Sequence, residues 1–238
     1  MRYLVLEGSA TAASCALLEE EKVLGEFFVN IPQTHSQTLL PMVEGLLKTC
    51  ALSPGELDFF AVTRGPGSFT GLRIAMAAVK GLAMAAGKPC VGVSTLEGLA
   101  RNLTGFEGSA LAVMDARCGQ VYAGAFALRK GEVEQYPFGE DAALPIEELT
   151  QWLEKMEKPV FLVGDGARLC YNRLTELQAE KGSLRLAPPH LCCQRAATAG
   201  AAARAAWARG EAVEAGALVP SYLRLPQAER ELLARKEK

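Results

Sequence analysis

The sequence predicts an α/β protein built from two similar lobes, and three observations support this class. A unit of three strands, a helix, a strand and a helix occurs twice, which is typical of a duplicated fold. An acidic residue ends the opening strand of each unit, Glu7 in the first and Asp115 in the second. The break before the third strand also matches, "EEEK" in one unit and "RKGE" in the other. A single mixed sheet is the alternative interpretation.

The first unit opens with three strands separated by short polar turns. A helix begins at His35, where Thr34 or Ser36 can cap it, and Pro41 is close enough to its first turn to be tolerated. The second helix begins at a glycine-rich turn. The predicted bounds are strands 2–7, 11–18 and 22–30, helix 35–50, strand 58–64, helix 68–86, strand 89–94 and helix 95–103.

The second unit repeats this order and ends in an alanine-rich helix. Its predicted elements are a three-strand meander over 109–138, helix 145–156, strand 159–165, helix 166–179 and a helix over 193–209. We therefore expect an amino-terminal lobe over residues 1–105 and a carboxyl-terminal lobe over 106–225. A frayed, solvated tail follows over 226–238. Tyr222 and Leu223 should end the fold by packing onto it.

The composition bounds the class of protein. The chain has 238 residues, of which 50% are hydrophobic and 22% charged, so a disordered chain is excluded. The net charge of −2 provides no overall positive excess to drive nucleic-acid binding. No segment reaches the roughly 18 uninterrupted apolar residues of a membrane span. The seven cysteines include no CxxC spacing and are predicted to be small core residues in a reducing cytoplasm.

The stretch "RGPGSFTGLR" places three glycines around a junction between strand and helix. Glycine lets a phosphate or another backbone come close, and a helix amino terminus offers unpaired N–H groups. The candidates for a nucleotide or anion loop are Gly65, Gly67, Ser68, Thr70 and Gly71. The specific phosphate motifs do not fit, because Leu72-Arg73 stand where a P-loop needs Lys and Ser or Thr. A tight structural turn is the alternative.

Both helices of the first unit carry apolar stripes at helical spacing. Together they offer more apolar surface than one sheet covers, which suggests a partner or a second copy of the chain. The alternative is that both stripes pack on their own sheet. The predicted partner-binding anchors are Leu39, Val43, Leu46, Leu47, Leu72, Met76 and Val79.

Neither histidine stands in a pattern typical of a metal site. His35 begins a helix, but Leu39 occupies the position one turn later, so a helix-borne histidine pair is absent. His190 follows "APP" and has no near carboxylate in sequence. We expect His35 to be a polar cap, and we predict no metal ligand and no catalytic residue.

Five stretches carry a family resemblance: "HSQTLLPMVEGLL", "RGPGSFTGLRIA", "GVSTLEGLA", "MDARCGQVYAG" and "PSYLR". Together they resemble the TsaB (YeaZ) family of bacterial tRNA threonylcarbamoyladenosine biosynthesis. The resemblance covers most of the chain, and its motifs occur in the right order. It implies an actin/Hsp70/sugar-kinase-like fold, in agreement with the two βββαβα lobes. It also implies a non-catalytic relative of TsaD, the subunit that transfers a threonylcarbamoyl group to N6 of adenosine 37 in tRNA.

The resemblance implies partners as well. Helices matching 35–50 and 68–86 bind TsaD, the ATPase TsaE joins them, and tRNA is reached only through the complex. No cofactor is implied, except ATP or ADP at the partner interface. TsaD carries a metal-binding HxxxH motif, whose second histidine is Leu39 here. Where the family commonly has Asp-Thr-Ser this chain has Glu7-Gly8-Ser9, which shifts the carboxylate by about 1.3–1.5 Å and argues against nucleotide chemistry.

Two other functions stay open from the sequence. A small ATP-dependent phosphotransferase is indicated by Glu7, Asp115 and Gly164-Asp165-Gly166, whose loops could face each other and hold Mg²⁺ through water. An inactive homodimer related to M22 peptidases follows from older naming of the wider family.

Overall fold

The computed structural model describes residues 1–177 and 182–224. The first part of the chain forms five strands and three helices: β1 (Arg2–Glu7), β2 (Ala13–Glu19), β3 (Lys22–Val29), α1 (His35–Thr49), β4 (Phe59–Gly65), α2 (Phe69–Ala86), β5 (Cys90–Ser94) and α3 (Thr95–Arg101). The strands make one sheet in the order β3-β2-β1-β4-β5. β1 pairs with β2 antiparallel and with β4 parallel. Because β1 is central, its residues 3–6 are apolar and fully buried on both faces.

The second part repeats this arrangement. Its elements are β6 (Gly108–Asp115), β7 (Gln120–Arg129), β8 (Glu132–Gln135), β9 (Ala142–Pro145), α4 (Leu149–Leu153), β10 (Val160–Val163), α5 (Ala167–Glu176), β11 (Leu184–Leu186) and α6 (Ala196–Ala208). The sheet order β11-β10-β6-β7-β8, with β9 added beside β7, is equivalent to that of the first sheet. The predicted duplication is therefore confirmed, and the single mixed sheet is excluded.

The helices do not stay with the sheets that precede them. α1 and α2 cover one face of the first sheet, and its other face is covered by α6 from the end of the chain. The second sheet carries α4 and α5 on one face and α3 on the other. α3 and α6 then pack against each other between the sheets. We call the first sheet with α1, α2 and α6 the first lobe, and the second sheet with α3, α4 and α5 the second lobe.

This exchange corrects the predicted domain bounds. The division at residues 105 and 106 separates the strands of the two sheets, but α6 and the segment after it, although inside the predicted range 106–225, pack on the first lobe. An aromatic stack fixes α6 there: Phe59 lies between Tyr3 and Trp207, with ring centroids 4.6 and 4.5 Å apart. The predicted tail, 226–238, lies outside the described residues, as does the end of predicted helix 166–179.

Two general predictions can be compared with this fold. All seven cysteines are free; Cys15, Cys90 and Cys170 are buried as predicted, whereas Cys118 is exposed. Among the described residues, α2 is the one helix long and apolar enough to cross a membrane, a test that core helices of water-soluble proteins also pass. Its buried stripe packs on the first sheet, and Arg73 and Lys80 interrupt its apolar sequence.

Candidate functional site

The predicted anchors of partner binding lie inside the first lobe. All seven side chains are 7% exposed or less: Leu39, Val43, Leu46, Leu47, Leu72, Met76 and Val79. All of them except Leu72 belong to the core between α1, α2 and the first sheet, and Leu72 is buried near Gly65 at the end of β4. The prediction that they are surface anchors is wrong, because the first sheet already covers these stripes. Charged substitutions at Val43 or Leu46 would therefore disturb the core and cannot report on a partner.

A different set of residues forms the surface of these helices. Met84 is 72% exposed and Leu40 is 51% exposed. We call the exposed apolar residues of α1 and α2 the outer face; they are Leu40, Pro41, Ala77, Gly81, Met84 and Ala85. Only six of the 18 residues of α2 are buried, although Arg73 and Lys80 are its only charged residues. The outer face is therefore apolar, and it is not covered by any of the residues that the structure describes.

The glycines of the candidate anion loop admit close approach by the chain's own backbone. A β-carbon at Gly71 would strike the carbonyl oxygen of Gly8 and lie 3.0 Å from His35 Cδ2. A β-carbon at Gly67 would strike the carbonyl oxygen of Ser9, and Gly67 also has a φ of +156°. These two glycines therefore let the start of α2 dock on the β1–β2 turn. The alternative interpretation, a tight structural turn, therefore explains why glycine occupies positions 67 and 71.

The remaining residues of that loop have separate roles. Gly65 has a φ of +128°, and a β-carbon there would strike the carbonyl oxygen of Ser221. Ser68 is the N-cap of α2: its Oγ accepts from Gly71 N–H at 3.3 Å, while its own N–H donates to Ser9 O at 2.6 Å. Gly67, Ser68 and Thr70 line the cleft described below, and Gly65 and Gly71 do not. The binding of a nucleotide or anion therefore stays a prediction for Gly67, Ser68 and Thr70 only.

His35 connects α1 to the β1–β2 turn. Its Nε2 lies 2.7 Å from the carbonyl oxygen of Ala10, and the ring is largely buried. Thr34 is the N-cap of α1 but makes no side-chain capping hydrogen bond. Neither Thr34 nor His35 therefore acts as the predicted polar cap. Leu39, one turn further along, points into the core. Within residues 1–177 and 182–224, no group of three or more His, Cys, Asp or Glu is arranged to hold a metal ion.

Glu7 lies beneath the β1–β2 turn and outside the cleft lining. Its Oε1 accepts a hydrogen bond from Ser9 N–H at 2.6 Å, and the side chain is almost fully buried. Burial raises the pKa of the Glu7 carboxyl, and hydrogen bonding to Ser9 opposes this shift in part. Glu7 thus braces the turn instead of facing a ligand.

The stability of the Glu7→Gln variant relative to wild type is expected to increase as the pH rises. Because the native pKa of Glu7 is raised, the native state holds its proton more tightly than the unfolded chain does, so stability falls as the pH rises from the ordinary value near 4.5 through the native value. Gln does not titrate and keeps an acceptor for Ser9. Chemical denaturation between about pH 4 and pH 7 should show the variant gaining stability relative to wild type. A constant difference over that range, or the same gain in the exposed control Glu134→Gln, would contradict a buried charge at Glu7.

A cleft of about 580 Å³ lies between the two lobes. The first lobe contributes the β1–β2 turn and the start of α2, and the second lobe contributes the β6–β7 turn and Asp165. Asp115 Oδ1 accepts from Arg117 N–H at 2.7 Å, and Asp165 Oδ1 accepts from Gln194 Nε2 at 3.2 Å. Desolvation raises the pKa of the Asp165 carboxyl. Of the three predicted acidic groups, the structure brings Asp115 and Asp165 together and leaves Glu7 apart.

Residues Ser221–Arg224 also line this cleft. The sequence predicted that Tyr222 and Leu223 pack onto the fold, but it gave no role to Arg224. The Nη1 of Arg224 donates to the carbonyl oxygens of Ala116 and Arg117 in the β6–β7 turn. The only signal available was the position of an arginine two residues after Tyr222 in "PSYLR".

Comparison with known proteins identifies the family. The tRNA threonylcarbamoyladenosine biosynthesis protein TsaB of Bacillus subtilis (strain 168) is 32% identical over 232 residues, which cover 96% of each chain. This chain belongs to the TsaB family. TsaB of Escherichia coli (strain K12) is 40% identical over 124 residues, 51% of this chain and 53% of that protein. The family model described as "TsaD: tRNA N6-adenosine threonylcarbamoyltransferase" matches residues 30–231, so the chain is also similar in sequence to the TsaD family.

Solved structures agree with the TsaB assignment. A Pseudomonas aeruginosa protein, described as uncharacterized with similarity to peptidase YEAZ, superposes with a TM-score of 0.76 at 35% identity, covering 94% of this chain and 99% of that one. YeaZ from Pseudomonas aeruginosa gives a TM-score of 0.74 at 35% identity over 93% and 99%. Together with the duplicated sheet order, they confirm the predicted actin/Hsp70/sugar-kinase-like fold.

Proposed function

We propose that this chain is a non-catalytic subunit in the synthesis of N6-threonylcarbamoyladenosine on tRNA. Its outer face docks on the corresponding helices of a TsaD-type catalytic subunit, and a TsaE-type ATPase joins the pair. tRNA is bound only through the complex. The complex is located in the cytoplasm. The names of the TsaB relatives and the match to the TsaD family model support this assignment.

The observation that carries the proposal is the uncovered apolar surface of α2. A surface helix of a monomeric domain usually presents polar residues to water, whereas α2 presents Ala77, Gly81, Met84 and Ala85. Alanine and glycine allow a partner helix to come close, and Met84 adapts its shape to the opposing surface. α1 lies beside α2 and widens the surface with Leu40 and Pro41. A stable contact of this kind would bury about 800 Å² on each partner.

Three contacts of the described residues support a scaffold role. Glu7 is buried under its own turn, His35 is engaged with Ala10, and the position of a second histidine is occupied by buried Leu39. At these three positions the side chains therefore serve internal packing and do not face the cleft.

The proposal is tested by nucleoside analysis in cells and by reconstitution. Depleting the chain from its own cells should lower N6-threonylcarbamoyladenosine in hydrolysed tRNA at least about tenfold, and the purified chain alone should modify no tRNA. Adding the TsaD-type and TsaE-type proteins with ATP, bicarbonate and threonine, plus the enzyme that forms the threonylcarbamoyl donor, should restore the reaction. Unchanged modified nucleoside after depletion, or modification by the chain alone, would refute the proposal.

A phosphotransferase is the second candidate, because Asp115, Asp165 and the start of α2 share one cleft. Carboxylates can hold Mg²⁺ through water, and a helix amino terminus favours phosphate. ATP turnover by the purified chain that is lost in Asp115→Asn and Asp165→Asn, but kept in the exposed control Glu134→Gln, would favour this function. Turnover that survives both cleft substitutions would point to a contaminant.

The outer face also fits a second copy of the chain in the absence of its partner. Self-association through this face would compete with docking of the catalytic subunit, since both would cover the same apolar residues. Sedimentation of the isolated chain over a wide concentration range tests this. A monomer at every concentration would rule out the homodimer.

A further inference from the structure

The segment Ser221–Arg224 is bound to the first lobe at its beginning. The N–H of Ser221 donates to the carbonyl oxygen of Arg64 at 2.7 Å. The carbonyl of Ser221 fills the space where Gly65 lacks a side chain. The end of β4 is therefore shaped to receive this segment.

An aromatic and cationic stack adds a second contact on the same lobe. The rings of Tyr222 and Phe69 lie 4.9 Å apart between centroids. Arg73, one turn after Phe69 on α2, lies 3.8 Å above the Phe69 ring and donates from Nε to Tyr222 Oη at 2.9 Å. The planar guanidinium thus joins both rings, which is stabilising even at a partly exposed site.

The other end of the segment contacts the second lobe. Arg224 donates from Nη1 to the carbonyl oxygens of Ala116 and Arg117. The turn that bears them is unusual, because Arg117, Cys118 and Gly119 have φ values of +63°, +55° and +72°. Non-glycine residues rarely adopt this conformation, so the turn needs support from outside itself. A charge-assisted hydrogen bond to its carbonyls provides such support.

We propose that Ser221–Arg224 is a latch that holds the two lobes at one angle across the cleft. The lobes are also joined by packing of α3 on α6 and by the hydrogen bond from Ser94 Oγ to the Asp141 carboxylate. Gln194, which directly precedes the N-cap of α6, adds a hydrogen bond from its Nε2 to Asp165 Oδ1, and Ala10 packs against the core of the second lobe. None of these contacts involves the turn at Ala116 and Arg117, which also lines the cleft. The latch closes that side with groups from the chain itself.

The latch has a mechanical consequence that a local brace does not have. Loosening its first-lobe end at Tyr222 should free Arg224 and release the turn at Ala116–Gly119, although Tyr222 makes no hydrogen bond to that turn. The width of the cleft is then set by the carboxyl-terminal segment, without any requirement for a ligand or for partner docking.

Hydrogen exchange of the full chain tests the latch, followed by mass spectrometry of peptides that span residues 114–122. Arg224→Ala and Tyr222→Ala should each raise exchange of the turn amides about fivefold to tenfold, and trypsin should cleave after Arg117 faster by a similar factor. Tyr222→Phe keeps the ring but loses the bond from Arg73, so its effect should be smaller. Arg168→Ala removes an exposed arginine of α5 away from the cleft lining and should have no effect.

The two ends of the segment distinguish the outcomes. A rise in both alanine variants, with circular dichroism unchanged, supports the latch. Faster exchange in Arg224→Ala alone would show that Arg224 supports only its own turn. Unchanged exchange in both variants would show that the segment does not stabilise the turn. Either result overturns the proposal. If Tyr222→Ala misfolds, the double variant Phe69→Ala/Arg73→Ala removes both partners of Tyr222 in the stack without changing the segment, and wild-type exchange in that variant overturns the proposal equally.

Discussion

Ala77→Glu is expected to abolish binding to the TsaD-type subunit while the isolated chain stays folded. Ala77 is exposed on the outer face of α2, between Arg73 and Lys80. Because these two side chains are positively charged, a carboxylate at position 77 is tolerated in the isolated chain. In a docked complex the same carboxylate would lie in a dry contact, which costs about 2–5 kcal/mol. Binding should weaken roughly 30-fold to several-thousand-fold, because about 1.4 kcal/mol corresponds to each factor of ten. Titration calorimetry with the purified partner measures the change.

Two variants control this experiment. Asn172→Glu adds the same charge to an exposed position of α5 on the second lobe, and Ala77→Ser adds a small polar group without charge. Both should bind within about threefold of wild type. If Ala77→Glu is folded and binds as well as Asn172→Glu, the outer face of α2 does not form the contact.

Gly71→Ala is expected to destabilise the chain by about 3 kcal/mol or more. Its β-carbon would strike the carbonyl oxygen of Gly8, which is backbone and cannot move aside as a flexible side chain would. The start of α2 would then separate from the β1–β2 turn, taking the contact of Ser68 with Ser9 with it. Chemical denaturation of the purified variant measures the loss.

Gly81→Ala is the matched control, since it makes the same change ten positions later in the same helix. Apart from the neighbouring backbone of α2 itself, no atom of the described residues lies within 4 Å of the added β-carbon, and alanine is the better helix former. This variant should be about 0.5–1 kcal/mol more stable than wild type. If both variants changed stability alike, close packing of Gly71 on the β1–β2 turn would not be the reason for the glycine.

The duplicated fold could be predicted because it rests on local patterns. Alternation and apolar runs identify strands, helical spacing identifies α1 and α2, and the order of elements repeats. β9 and β11 were missed because strands of four and three residues leave little periodicity to detect. The packing of α6 on the first sheet could not be foreseen, because contacts between residues a hundred or more positions apart leave no local signal. The sequence also does not show that α3 packs on the sheet that follows it rather than on the sheet that precedes it.

The candidate site was predicted at the level of elements and not of residues. Sequence identifies α2 as apolar on more than one face, but it cannot say which face its own sheet covers; Leu72 and Met76 turned out to be core, and Ala77 and Met84 surface. In the same way, the glycine spacing predicted that a phosphate or another backbone segment comes close to the start of α2. The group that comes close is backbone of residues 8 and 9, which only the folded chain can reveal.

The exchange of helices has a consequence for biosynthesis. During translation the first sheet is complete once residue 94 has been made, yet the helix that covers its second face ends only at residue 208. At about 5–20 residues per second, the ribosome needs roughly 6–23 s to supply that cover. Throughout this interval Val5, Ala61 and Val91 lack the helix that covers them in the folded chain, and we expect chaperones that bind exposed apolar surface to recognise the unfinished polypeptide.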